Sequence, residues 1–131
     1  DKVNEFINLI RKNNFDGYIF GTPVHYAAPS GFIKPFMDRL FYVHFNSNNP
    51  FFNGKVAASI VNSRRAGTTA AFEQLNQYYT MSNMPVVSSQ YWNDTHGGSP
   101  KDVIKDLQGM QTMRILGKNM LLLRISPVKE S

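Results

Sequence analysis

The stretch Gly21–Leu40, GTPVHYAAPSGFIKPFMDRL, follows directly on the apolar run Tyr18–Phe20. A short apolar run that ends in Gly-Thr-Pro reads as a buried parallel strand passing straight into a loop. The loop holds small residues, two prolines and one tyrosine, and hands over to a helix near Ser30-Gly31. In open α/β sheets, ligands sit outside the carboxyl ends of the strands. A loop in that place, with almost no charge but with free backbone amides, suits a flat aromatic ligand that takes hydrogen bonds at its edge.

Outward from this stretch the pattern alternates. Val3, Phe6, Ile7 and Ile10 recur at helical spacing, so Lys2–Asn13 is predicted to be an amphipathic helix. Phe15-Asp16-Gly17 then turns into the Tyr18–Phe20 strand. Gly31–Phe45 is the next helix, with Phe32, Ile33, Phe36, Leu40 and Phe41 on one side. A loop over Asn46–Gly54 leads to a second strand, Lys55–Asn62. Ser63–Gly67 is a loop, and Thr68 or Thr69 caps a helix running to about Met81. Met84–Ser89, with its Val86-Val87 pair, reads as a short strand, and Gln90–Ser99 as a loop. Pro100–Leu123 reads as one long helix, with Pro100 in its first turn and Asp102 near the positive end of its dipole. Gly109 and Gly117 weaken it by roughly 1 kcal/mol each relative to alanine. This order predicts a parallel sheet with helices on both faces, one α/β domain over residues 1–131.

Composition bounds the function. With 131 residues, 42% hydrophobic and 18% charged, the chain can bury a core and is not disordered. Its formal charge is +5, but the basic residues are scattered and Arg64-Arg65 is the only adjacent pair of arginines. Without a basic stripe interleaved with aromatics, nucleic acid is not expected as a partner. Anionic small molecules such as phosphorylated cofactors are favoured instead. The longest apolar candidate, Asn119–Ile125, is too short for a membrane span and contains Arg124. Asp1–Asn14 is polar-rich and unlike a signal peptide, so no membrane partner and a cytoplasmic location are expected. The absence of cysteine rules out a disulfide framework and a thiol nucleophile within these residues. Three separated histidines and no HExxH spacing offer no metal site, and no GxSxG elbow supports a serine triad. Asp38 and Arg39 are adjacent on a helix and do not face each other, so they read as ion-pair and packing residues.

Three groups of residues carry a resemblance. Asp16, Gly17, Gly21, Thr22, Pro23, Val24, Tyr26, Gly31, Lys34, Phe36, Met37, Asp38 and Arg39 fit the first. Ser63–Leu75 (SRRAGTTAAFEQL) forms the second. Gly109, Gln111, Thr112, Met113, Arg114, Leu116, Gly117 and Asn119 form a C-terminal signature. Together they make almost the whole chain resemble the NADPH-dependent FMN reductase family of flavodoxin-like proteins. His25 stands where that family often has an aromatic or other polar residue. The resemblance implies a flavodoxin-like three-layer sandwich, FMN as cofactor and NAD(P)H as hydride donor. It further implies a small electron acceptor, such as a quinone, azo or nitro compound, and a homodimer or higher homo-oligomer. Within it, the lack of cysteine removes the iron–sulfur flavoproteins, which need a cysteine cluster.

The same resemblance implies an absence. The family begins with a strand and a Ser/Thr-rich loop around the FMN phosphate, followed by a first helix and a second strand. This chain begins at what looks like the second helix, so N-terminal strands are missing. In flavodoxin-like order the first strand would lie beside Tyr18–Phe20, which without it becomes an exposed apolar edge. The expectation is a longer natural polypeptide, or a partner that covers the edge, and weak FMN binding by these residues alone.

On the resemblance, three segments would hold the cofactor. Pro23, Val24, His25, Tyr26 and Ala27, with Ser30, would form one wall of a flavin pocket. Their alternative reading is a tight strand–helix connection, with His25 simply exposed. Ser63, Arg64, Arg65, Ala66 and Gly67 would meet the flavin's pyrimidine side, helped by the positive potential of the helix after Gly67. Either arginine could meet a nicotinamide cofactor's phosphate, or both are solvated. Trp92, His96 and Gly97, with Gly98, would close over the flavin or the hydride donor; the alternative is a structural loop around a packed tryptophan. No side chain is assigned a catalytic role, because the flavin carries the hydride chemistry. All three segments are expected on one rim of the sheet. The competing functions are a non-enzymatic flavodoxin-type electron carrier, which would ordinarily be acidic, and a flavin-free fragment of the fold.

Overall fold

The computed structural model describes residues 1–124. Helix α1 (Lys2–Lys12) opens on Asp1, whose carboxylate accepts from the Val3 N–H, and buries Val3, Ile7 and Ile10. Strand β1 (Gly17–His25) is nine residues long. The predicted loop therefore begins later than expected, and Gly21-Thr22-Pro23 lies within the strand. Among the described residues Gly17–Pro23 pairs only with β3, and on a side without a strand partner a proline's missing N–H is tolerated. The chain then reverses at Tyr26-Ala27 into a two-residue strand, β2 (Ala28–Pro29), paired antiparallel with Val24 and His25.

Helix α2 (Ile33–Asn46) starts two residues later than the predicted Gly31. Strand β3 (Val56–Ser63) pairs in parallel with β1, from Gly17 opposite Val56 to Pro23 opposite Asn62. Helix α3 (Thr68–Met81) has Gly67 as its cap, not a threonine. The Thr68 hydroxyl instead donates to Asp94 Oδ2 at 2.7 Å.

The C-terminal third departs most from expectation. Met84–Ser89 contributes only a bridge between Val86 and Ala57, because Pro85 has no N–H to extend a ladder. The parallel neighbour of β3 is β4 (Asp94–His96), inside the segment predicted as loop. The predicted long helix is two helices, α4 (Pro100–Ile104) and α5 (Leu107–Leu123). The Asp106 carboxylate caps the second by accepting from the Gly109 N–H at 3.0 Å.

The sheet order is β2-β1-β3-β4. On one face Tyr18, Phe20, Ala57 and Val61 pack against α1, α2 and α3; on the other Val56 and Ala58 meet Leu116 of α5. This is a three-layer α/β arrangement with a mostly parallel sheet. β3 is covered on both faces, whereas in β1 only Tyr18, Phe20 and Thr22 are buried and Ile19 is half exposed. Among the described residues, Gly17–Pro23 has no partner on its outer edge. No described helix is long and apolar enough to cross a membrane. The apolar stretch Asn119–Ile125 ends at Ile125, outside the described residues.

Candidate functional site at the carboxyl rim of the sheet

Because β1, β3 and β4 run parallel, their carboxyl ends share one rim, with Pro23 level with Asn62 and Ser63 level with His96. The loops that follow touch. Gly67 has φ +92°, and a Cβ placed on it would fall 2.8 Å from Ala27 Cα and 3.1 Å from Val24 Cγ1. Only glycine permits that conformation and that approach together. The Gly97 N–H donates to the Ser63 carbonyl at 2.9 Å, joining the second loop to the third. Asn62 strengthens the join, accepting from the Thr95 hydroxyl at 2.9 Å and donating to the Gly97 carbonyl at 3.3 Å.

The first segment projects from the rim. Pro23, His25, Tyr26 and Ala27 are exposed, and Val24 packs on Gly67. Tyr26 and Ala27 both have positive φ, 52° and 60°. That is the backbone of a primed two-residue hairpin turn, which normally selects Asn-Gly. Holding two non-glycine residues there stores strain, a feature concentrated at binding sites. Ser30 lies beneath: it is buried, its N–H donates to Thr22 Oγ1 at 3.0 Å, and it lines a separate hollow of about 630 Å³ with Gly21 and Phe36.

In the second segment Ser63 is buried, and among the described residues its hydroxyl has no hydrogen-bond partner. Arg64, Arg65 and Ala66 are exposed. The first turn of α3 has no side-chain cap, so its amides face the rim uncompensated. In the third segment His96 ends β4, and Gly97 packs so closely that a Cβ would fall 2.6 Å from the Val103 nitrogen. Trp92 stands apart. It precedes β4 and lines, with Tyr91, Thr68, His96 and Gln108, a hollow of about 330 Å³ against the first turns of α3 and α5.

Two carboxylates that hold the rim in place were not singled out from sequence. Buried Asp94 takes the Thr68 hydroxyl, and Asp106 Oδ2 accepts the His96 N–H at 2.8 Å while capping α5. An aspartate ahead of Leu-Gln-Gly was the available sign of a new helix start. Among the described residues no cluster of three metal-ligating side chains forms. The rim thus carries the uncapped amides of α3 and two exposed arginines.

Comparison with known proteins adds three findings. The sequence profile of a family described as NADPH-dependent FMN reductase matches residues 1–98. An iron-sulfur flavoprotein of Methanocaldococcus jannaschii is 29% identical over 127 residues, covering 92% of this chain and 63% of the relative. The chain therefore spans less than two thirds of that relative. Its 131 residues contain no cysteine, so they supply no thiolate to a cluster of the kind the relative's name describes. A WrbA-like flavodoxin from Agrobacterium tumefaciens shares the fold at a TM-score of 0.62 and 21% identity, over 88% of this chain and 73% of that one. An NADPH-quinone reductase from P. pentosaceus does so at 0.55 and 16%, over 95% and 76%. The fold is flavodoxin-like.

Proposed function

The chain belongs to the NADPH-dependent FMN reductase family, and on that premise we propose that its rim holds FMN in an oxidoreductase fed by NAD(P)H. The electrons go on to a small acceptor such as a quinone, azo or nitro compound. The observation that supports this reading is the convergence of the loops on one rim, where Gly67 packs on Ala27 and the Gly97 N–H donates to the Ser63 carbonyl. A flavin edge is rich in carbonyls and ring nitrogens that would take the uncapped amides at the start of α3 on that rim.

When bound, the flavin supplies the hydride-accepting ring. The chain's own residues position it. Pro23–Ala27 would form one wall, with Tyr26 along the ring, and Ala66-Gly67 would present amides to the edge. The uncapped start of α3 would favour negative charge there. Gly67 and Gly97 keep the loops that would hold the flavin close-packed.

Stopped-flow mixing of the flavin-loaded protein with NADPH or NADH tests this reading. The expected result is bleaching of the visible flavin band, followed by reoxidation when a quinone is added. Reduction by dithionite but never by either nucleotide would establish an electron carrier instead.

A further inference from the structure

The hollow of about 330 Å³ beside β4, between the first turns of α3 and α5, has the size of a small-molecule site. Neither Pro23–Ala27 nor Ala66-Gly67 lines it. Asp94 does, and at 8% exposure it is the only buried acid among the described residues. Its Oδ2 accepts the Thr68 hydroxyl at 2.7 Å, and its other oxygen takes no hydrogen bond among the described residues. The side-chain atoms sealed off without a partner there are the Ser63 hydroxyl and the Asn93 amide nitrogen. The second Asp94 oxygen is therefore not sealed off, and it opens on the hollow.

The other described acids differ from Asp94. Asp1, Glu5, Asp16 and Asp38 each approach a lysine or an arginine. Asp106 accepts two amides, and Glu73 and Asp102 are exposed to water. A buried carboxylate is costly unless a charged partner meets it. The positive end of α3, where Thr68 stands, amounts to about half an elementary charge and offsets only part of the carboxylate's. Among the described residues no lysine or arginine lines the hollow, and the Nδ1 of His96 in its wall lies 3.9 Å from Asp106. Tyr91 and Trp92, both half-exposed, line it too, with ring centroids 5.0 Å apart. Aromatic faces beside a carboxylate attract an organic cation. A bare metal ion is not matched, since the described residues form no cluster of three metal-ligating side chains.

We infer that this hollow is a binding site for a small primary amine with an aromatic body. The ammonium donates to the open Asp94 oxygen, and the body lies against Tyr91 and Trp92. A primary amine is favoured over a quaternary one because a carboxylate oxygen accepts N–H, which a quaternary nitrogen lacks. The site stands whether or not the rim holds FMN, because it shares none of the loop residues that would wall the flavin.

The test is calorimetric titration of the protein with benzylammonium chloride and with benzyl alcohol, its neutral counterpart of the same shape. Trp92 is the only tryptophan, so its fluorescence reports entry into this hollow. The wild type should bind benzylammonium tighter by about tenfold or more, a margin typical of a charge-assisted hydrogen bond. Trp92 emission should change in step with that binding. Asp94→Asn, which keeps an oxygen for Thr68, should lose the margin, whereas Glu73→Gln, at an exposed acid elsewhere, should keep it. Trp92→Leu should shrink it by removing the ring face. A wild type that does not discriminate the two probes overturns the inference, as does discrimination without a change in Trp92 emission. So does a margin that survives in Asp94→Asn, or one that falls as far in Glu73→Gln, which would assign it to general attraction. Benzyltrimethylammonium bound as tightly as benzylammonium overturns the assignment to a primary amine. Should Asp94→Asn fail to fold, Trp92→Leu decides, and an undiminished margin there overturns the inference.

Discussion

Gly67 is where residue chemistry shapes the rim most directly. Its φ of +92° and the 2.8 Å from a Cβ position to Ala27 Cα act together. Gly67→Ala is expected to cost about 1–3 kcal/mol in urea denaturation. Gly31→Ala, with nothing within 4 Å of its added carbon, should change stability by less than about 0.5 kcal/mol. Equal effects would show that the loops do not pack as described. His44 is a second such residue. It is buried among Phe41, Phe45, Phe51 and Phe52, and its Nδ1 accepts the Phe52 N–H at 3.2 Å. Burial pushes its pKa below the ordinary histidine value, and Arg11 lies over the neighbouring Phe51 ring. The neutral form belongs to the fold, so its contribution is complete above the unfolded pKa of about 6.5. That contribution is lost as pH falls through the lower folded value. The urea midpoint should drop between pH 7 and pH 5 more in the wild type than in His44→Gln, and parallel profiles would contradict this. Neither Tyr26-Ala27 nor His44 was legible in advance. Positive φ is announced by glycine or asparagine, and a histidine on an apolar helix face does not show what its nitrogen will meet.

At the scale of elements, the join between α4 and α5 ties a helix start to the rim. Asp106 caps α5 and holds the His96 N–H with the same carboxylate. Asp106→Ala should therefore lose about 1–2 kcal/mol, as helix-cap removal does. It should also accelerate hydrogen exchange at the His96 amide. Unchanged exchange there would separate the cap from the rim. The first half of the chain was readable because α1 and α2 carry strong helical periodicity and Tyr18–Phe20 is a clear apolar run. The second half was less so. β4 is three polar residues long and has no periodicity to detect. The Val86-Val87 pair looked like a strand but follows Pro85, which cannot donate. Thr68 looked like a cap because threonine prefers that position, whereas here its hydroxyl is engaged by Asp94 from across the sheet.

At the scale of the whole molecule, parallel strand direction is what turned three separated sequence segments into one rim. That convergence followed from reading each segment as the loop after a strand, although Trp92 proved to precede its strand. Ser30, expected in the wall, sits under it. Among the described residues the outer edge of β1 over Gly17–Pro23 is bare. The account stands or falls on whether the rim is the flavin site. Backbone amide shifts followed during FMN titration of the isotopically labelled protein test it most directly. The account predicts that His25, Tyr26, Ala27, Ala66, Gly67 and Gly97 move first and furthest, even at modest affinity. Shifts centred on the hollow between Phe45, Gln74 and Met81, or no shifts at saturating FMN, would contradict it.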